Sequence, residues 1–349
     1  EEDRIDYDYD ERINYGGLFG QLEYATDSFS AFFQGAVSTQ SHVRWDRFNY
    51  DEANEESETV NNTGFNIKAG ASYSLNENNK VYANGGYYSR QPYHDNIYLN
   101  YTNDVNPLTE NEKIFGIEVG YQYTSSVFSA SLDLYRTSWK DRVESSSYTD
   151  DVTNALLFET DEGVEQLHSG AELQLQYKPI NSLRIKGFAS VGNWEYVGDA
   201  QTTTRNENLE TLSVEMDDVD GGKVGGAAQT TFGLGADFEI VERFSIDADY
   251  RFYDNLYADV GAIKENLELP NYSLVDMGLS YKMLVGKDKT NSVNFRFNIN
   301  NLLDEEYFSQ SSTAIQAEAG DATYLGVNQN NQVYFGNGRT WNFGIRFKF

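Results

Sequence analysis

Apolar and polar residues alternate with a period of two along most of the chain. In segment 244–252 every second residue is Phe, Ile, Ala, Tyr or Phe, and the residues between them are Ser, Asp, Asp and Arg. Segments 115–123 and 293–299 repeat this pattern. Successive side chains of a β-strand point to opposite faces, so each segment would form a strand with one apolar face. No comparable 3.6-residue stripe occurs, and the sequence therefore predicts an all-β fold.

Thirteen strands follow from this alternation. Their predicted ranges are 14–25, 28–48, 63–75, 80–90, 113–124, 127–146, 164–177, 182–198, 226–240, 243–257, 272–284, 291–300 and 339–349. Several reach the ~9–11 residues that cross a bilayer at a tilt. Short turns alternate with long connections, and the long ones lie near 49–62, 91–112, 147–163, 199–225, 258–271 and 301–338. An outer-membrane antiparallel β-barrel has this layout, with tight periplasmic turns and long external loops.

Composition excludes several classes of function. Acidic residues outnumber basic ones 55 to 26, so the chain lacks the clustered Lys and Arg that nucleic-acid binding requires. Cysteine is absent and the only histidines are His42, His94 and His168, so we expect no resident metal and no cofactor. The nucleophile-elbow, zinc-protease and P-loop motifs are also absent, so we expect no catalytic residues and no enzyme.

Two motifs mark the end of the chain. Five apolar residues share one face of the last strand: Trp341, Phe343, Ile345, Phe347 and Phe349. This spacing, with a terminal aromatic residue, resembles the signal by which outer-membrane proteins are recognised for barrel assembly. Upstream, Asn300-Asn-Leu-Leu-Asp-Glu-Glu-Tyr307 resembles the N-[LV]-F-[DN]-x-x-Y stretch before the last external loop of TonB-dependent receptors. Leu303 stands where Phe is commoner in that stretch.

The chain therefore resembles the TonB-dependent outer-membrane receptor family, and its Tyr- and Asn-rich strands look most like receptors of the Bacteroidota. That family's barrel has about 22 strands. Thirteen strands counted from the end would make the whole chain, 1–349, the C-terminal portion of the barrel without its plug domain. The resemblance implies a Gram-negative cell outer membrane location and active uptake of a scarce external substrate, such as a siderophore, cobalamin or oligosaccharide.

The same resemblance implies the partners of the protein. TonB, energised by ExbB and ExbD, would act through a plug domain that this chain lacks. Outer-membrane lipid and lipopolysaccharide would surround the barrel, and the barrel-assembly machinery would insert it. A SusD-like surface lipoprotein is a further expected partner, because such a protein covers the glycan importers of the family.

Seven residues near the external ends of the strands are candidates for substrate binding: Arg90, Tyr93, His94, Tyr98, Tyr101, Tyr257 and Tyr324. Aromatic rings beside a cation can hold a substrate by stacking and hydrogen bonding. The same rings could instead pack the loops together or join the aromatic girdle. Two other functions stay open: a barrel of the same family that is a structural or assembly component of an outer-membrane complex, and a passive porin.

Overall fold

The computed structural model describes residues 7–99, 102–106, 109–150, 153–208 and 210–349. No helix in these ranges is both long enough and apolar enough to cross a membrane. The elements are β1 Tyr9–Ala25, β2 Phe29–Asp46, β3 Val60–Ser74, β4 Asn79–Arg90, α1 His94–Ile97, β5 Glu112–Thr124, β6 Phe128–Thr149, β7 Leu156–Ile180, β8 Leu183–Val197, β9 Asp199–Arg205, β10 Thr211–Asp218, β11 Thr230–Val241, β12 Phe244–Asp254, β13 Leu256–Tyr257, β14 Glu268–Leu269, β15 Tyr272–Val285, β16 Asn291–Asn300, β17 Phe308–Ser311, β18 Thr323–Tyr324, β19 Val327–Asn328, β20 Val333–Phe335 and β21 Thr340–Lys348.

Fifteen strands form one antiparallel sheet, and the thirteen long strands along its main path are called the wall. Its order is β1-β2-β3-β4-β5-β6-β7-β8-β11-β12-β15-β16-β21, so each strand pairs with the next long strand in the chain. The predicted all-β fold and its thirteen strands are confirmed. In the part of the chain that the structure describes, β1 and β21 are not paired with each other. The wall is therefore an open sheet rather than a closed barrel.

Each strand of the wall has one apolar and one polar face. In the pairing of β5 with β6, Val119 lies opposite Leu134, and Glu118 lies opposite Tyr135. Directly opposed residues of an antiparallel pair share a face, so the apolar rows continue from strand to strand. Val119 is 50% exposed and Leu134 is 53% exposed. A continuous apolar face that other parts of the protein leave uncovered is typical of a lipid-facing barrel surface.

The opposite face of the wall carries paired charges. Four of these pairs join different strands: Arg184 with Asp237, Lys186 with Asp249, Arg251 with Asp276, and Arg296 with Asp247. These pairs link the polar rows of neighbouring strands into a network. Pairing offsets part of the desolvation that a half-buried charge would otherwise suffer.

Two predicted loops contain long strand segments that extend the main sheet. The prediction of a loop at 147–163 is wrong for most of its length, because β6 continues to Thr149 and β7 begins at Leu156. The predicted loop 199–225 contains the hairpin of β9 and β10, which pairs with the outer part of β7. These segments lie beyond the ~9–11 residues that contact lipid. Neither face of these segments meets lipid, so a continuous apolar row is not required and the alternation that marks a strand is incomplete there.

The external connections pack against one another. One buried cluster joins Leu256 and Leu269 to Phe308 of the last loop. A second contains Val164 of β7 and Tyr196 of β8. The main buried apolar residues of the described chain therefore lie above the wall, where they fix the loops that surround the external rim.

Candidate functional site

The short helix α1 and the residues after it cover the external ends of β1 and β2. Ile97 is 1% exposed and Tyr98 is 3% exposed. The Asn106 amide donates to the Ile97 carbonyl at 2.7 Å, which folds the segment into a compact turn. The Tyr98 hydroxyl lies 2.9 Å from the carbonyl oxygens of His42 and Glu58 and can donate to either. The loop is thus tied to the backbone of the wall.

Two histidines form the buried centre of this contact. His42 of β2 is 1% exposed, and His94 of α1 is 8% exposed. Their Nδ1 atoms lie 3.1 Å apart and their ring centroids 5.3 Å apart, so the rings point at each other almost end to end. This geometry fits one Nδ1–H that donates to the other Nδ1. His94 Nε2 lies 3.4 Å from Glu11 Oε1, and His42 Nε2 lies 3.3 Å from Gln40 Oε1.

The electrostatics of this contact favour neutral histidines. Burial lowers the pKa of His42, and the adjacent His94 lowers it further. Burial also lowers the pKa of His94; Asp95 opposes that change and Arg44 adds to it. Burial raises the pKa of the Glu11 carboxyl, Asp95 raises it further, and Arg44 opposes both. All these groups lie outside the ~9–11 residues beside each short turn that span a bilayer.

Arg90, at the end of β4, lies against two aromatic rings. Its guanidinium carbon is 4.2 Å from the centroid of Tyr93 and 5.6 Å from that of Trp139. Arg90 Nε donates to Glu112 Oε2 at 2.9 Å, and Trp139 Nε1 donates to the same oxygen at 3.0 Å. Tyr93 is 62% exposed, so it presents an aromatic surface to solvent. A phenol ring held by a paired guanidinium is a suitable stacking surface for a planar or ring-shaped ligand.

The structure brings four of the candidate residues to one part of the rim: Arg90, Tyr93, His94 and Tyr98. They differ in what they can contact. His94 and Tyr98 are buried and hold the loop, whereas Tyr93 is open and Arg90 is partly exposed. Tyr101 lies outside the described residues.

Tyr257 and Tyr324 lie elsewhere on the rim. Tyr257 belongs to β13 and pairs with Glu268 of β14. The Tyr324 hydroxyl donates to Glu306, and its ring centroid lies 6.2 Å from that of Phe308. Tyr324 is 40% exposed. Among the described residues, no recorded contact joins either tyrosine to the group around Arg90, so these two form a separate part of the rim.

The structure contains a stack of three tyrosines that the sequence analysis did not predict. Tyr253 and Tyr272 lie opposite each other on β12 and β15, with ring centroids 4.8 Å apart. Tyr307 stacks on Tyr272 at 4.1 Å with an interplanar angle of 24°. Tyr253 lies on the same face of β12 as Asp249 and Arg251, so it and its partner Tyr272 belong to the polar face of the wall. Tyr307 comes from the last loop, so no local pattern could have added it to the stack.

The Asn-rich motif before the last loop explains how Tyr307 reaches that position. Asn301 is 4% exposed. Its side chain accepts from the Glu305 amide at 2.8 Å, and it donates to the carbonyls of Glu305 and Asn337 at 2.8 and 3.1 Å. The Asn301 amide also donates to Asp276 Oδ1 at 2.9 Å. The motif is therefore a turn held by one buried amide side chain.

Two partly buried carboxylates above the wall were also missed. Glu144 of β6 and Asp161 of β7 are directly opposed. Tyr196 donates to Glu144 Oε2 at 3.4 Å, and Thr202 donates to Asp161 Oδ1 at 2.8 Å. Burial raises the pKa of both carboxyls, and Arg142, 2.9 Å from Glu144, opposes this for Glu144. Within the described ranges, no three His, Asp or Glu side chains are arranged to hold a metal ion.

Comparison with known proteins identifies the architecture. Residues 2–302 match the family described as TonB dependent receptor-like, beta-barrel. The chain belongs to this family. The membership predicted from the terminal motifs is therefore confirmed. The resemblance to receptors of the Bacteroidota stays a prediction.

Solved structures of the TonB-dependent receptor family share the fold. The ferric citrate transporter FecA, unliganded, has a TM-score of 0.68 at 16% identity over 98% of this chain and 46% of its own. The siderophore receptor PiuA from Acinetobacter baumannii has a TM-score of 0.67 at 16% identity, over 97% and 43%. The copper transporter OprC has a TM-score of 0.66 at 15% identity, over 96% and 48%. The chain spans just under half the length of these proteins, which are receptors and transporters rather than enzymes.

Proposed function

We propose that the chain is the C-terminal part of the barrel of an outer-membrane TonB-dependent transporter, with thirteen of about 22 strands. The observation that carries this proposal is the continuous thirteen-strand wall, of which the first twelve strands lie within the family match over residues 2–302. The similar solved proteins are a ferric citrate transporter, a siderophore receptor and a copper transporter. Their names favour uptake of a scarce external substrate. Siderophores, cobalamin and oligosaccharides are the substrate classes to test.

In this proposal the substrate binds at the external rim. The contact residues are Arg90, Tyr93, His94, Tyr98, Tyr101, Tyr257 and Tyr324. Tyr93 supplies the stacking surface and Arg90 orients it, because the guanidinium is fixed by Glu112. His94 and Tyr98 are positioning residues that hold the loop against the wall.

The remaining partners act at other surfaces. TonB, driven by ExbB and ExbD, remodels a plug domain from outside this chain and so opens a path through the barrel. Lipid and lipopolysaccharide surround the apolar face. The barrel-assembly machinery reads the last strand through Trp341, Phe343, Ile345, Phe347 and Phe349. A SusD-like lipoprotein covers the rim where the substrate is a glycan.

Growth of a receptor-deletion strain on one limiting nutrient at a time tests this function. Ferric chelates, cyanocobalamin and oligosaccharides are supplied singly, and a tonB deletion is compared in parallel. We expect both deletions to lose growth on the same nutrient, and Tyr93→Ala to weaken uptake more than Glu110→Gln, a neighbouring exposed position. Energy-independent ion conductance in planar bilayers would instead identify a porin. Normal uptake with loss of a surface complex would identify a structural component.

A further inference from the structure

A small sheet stands above the wall. Residues 156–162 of β7 lie between β6 and β9, and β10 is the outermost strand. Glu162 precedes the last residue of β7, Ile180, by 18 residues. A tilted strand crosses the hydrocarbon layer within about 9–11 residues. This external sheet of β6, β7, β9 and β10 therefore lies outside the lipid.

Strand β10 is the open edge of the external sheet. Among the described residues it pairs only with β9, so one row of its backbone amides and carbonyls faces solvent. Three alternate side chains are largely uncovered: Leu212 at 57%, Val214 at 57% and Met216 at 64% exposed. Lipid can cover the apolar rows of the wall but does not reach this one. An apolar row on an unpaired edge is a surface that another strand can complete.

The charge of the hairpin restricts what can bind there. The acidic residues of the β10 strand and the turn before it are Glu207, Glu210, Glu215, Asp217 and Asp218, of which Asp218 is paired with Lys264. Between residues 199 and 218 the one basic residue is Arg205, which is 8% exposed. The edge therefore attracts a basic segment and repels anionic lipopolysaccharide. A second copy of this edge would set acid against acid.

We propose that β10 is a docking edge for an extended segment of a partner protein in which apolar residues alternate with lysine or arginine. The segment adds a fifth strand to the external sheet by backbone pairing. Its apolar side chains cover Leu212, Val214 and Met216. Its basic side chains lie on the other face, where they meet Glu215 and Asp217. Alternation in the partner thus matches alternation in β10.

Peptide binding to the whole protein in outer-membrane vesicles tests this edge. The probe is a fluorescent peptide in which valine alternates with lysine. The comparison peptides have the same composition in two blocks, or glutamate in place of lysine. We expect the alternating basic peptide to bind at least about tenfold more tightly than either, and to weaken as salt rises. Equal binding of all three peptides would overturn the proposal.

Two sets of variants locate the binding. Val214→Asn with Met216→Asn should weaken binding about tenfold, whereas Leu303→Asn, an apolar residue 65% exposed in the last loop, should leave it unchanged. Glu215→Lys with Asp217→Lys should reverse the preference toward the glutamate peptide, and this result stands even if the first variant misfolds. Unchanged peptide affinity in both sets of variants would refute the proposal that β10 is a docking edge. Self-association of the receptor that Val214→Asn abolishes would assign the edge to a second copy instead.

Discussion

The wall and the external sheet share antiparallel pairing but differ in what covers their faces. In the wall, Val119 and Leu134 are half exposed, on a face suited to lipid. In the external sheet, Thr160 and Thr203 are 4% and 3% exposed, so a polar face is buried against protein. Backbone pairing builds strands in both regions. The environment on each side decides which side chains the strands carry, and only a lipid-covered face requires an apolar row.

The largest expected loss of stability comes from a charge placed on the apolar face of the wall. Val119→Arg places a charge near the middle of the lipid-facing part of β5, and we expect it to destabilise the barrel by about 2–4 kcal/mol. Glu118→Arg puts the same residue at the same depth on the polar face and should cost much less. Urea unfolding in lipid vesicles measures both free energies. An equal loss of unfolding free energy in the two variants would mean that the two faces of the wall do not differ in their contact with lipid.

A second prediction sharpens the description of the polar face. A Cβ at Gly278 would overlap the guanidinium of Arg296, which pairs with Asp247. We expect Gly278→Ala to lower the free energy of unfolding by about 1–3 kcal/mol. Gly344 has no neighbour within 4 Å of its Cβ position, and Gly344→Ala should change stability by at most about 0.5 kcal/mol. Similar effects at both positions would contradict close packing of the ion pair on the wall.

A third prediction concerns the rim rather than the wall. Asn301→Ala removes a buried amide that satisfies three backbone groups, and we expect the last loop to lose about 1–3 kcal/mol of local stability. Limited proteolysis within 301–338 should therefore accelerate while global unfolding changes little. Asn300→Ala, which removes an exposed bond to Thr340, is the matched control. Slower cleavage in the Asn301 variant would contradict the conclusion that the Asn301 side chain holds this turn.

The smallest effect is a pH dependence confined to the loop that contains α1. The lowered pKa values of His42 and His94 mean that the closed loop binds fewer protons than an open one. Its closure is therefore strongest above about pH 6.5 and weakens as the pH falls, by at most about tenfold per pH unit for each proton taken up. The raised pKa of Glu11 acts in the opposite sense, over the range from that raised value down to about 4.5.

Hydrogen exchange of residues 94–99 and 102–106, corrected for intrinsic rates, measures this dependence. Protection should fall between pH 7 and pH 5. His94→Gln removes one of the two titrating rings and should flatten the profile, while exchange in β5 stays constant in both proteins. An unchanged profile in the variant would show that other groups control the loop.

The sequence predicts the wall well because each strand there has a lipid-facing row. Strands β16 and β21 agree with their predicted ranges to within one residue, because phenylalanines at alternate positions identify the apolar face of each strand. The hairpin of β9 and β10 was not predicted, because β9 is mostly polar and the apolar alternation of β10 is limited to Leu212, Val214 and Met216. At the rim, residue type alone was enough to select Arg90 and Tyr93 as candidates for substrate binding. The burial of His94 depends on His42, which is 52 residues away in the chain, and no local pattern contains that contact.

The most direct test of the central claim is the intact mass and N-terminal sequence of the polypeptide extracted from outer membranes. If the wall is the C-terminal part of a TonB-dependent transporter, the mass should be far above 39.6 kDa, with a plug domain and a TonB-contacting segment upstream of Glu1. A polypeptide of 39.6 kDa that begins at Glu1 would be an open thirteen-strand sheet. That result would contradict the transporter function for this molecule alone.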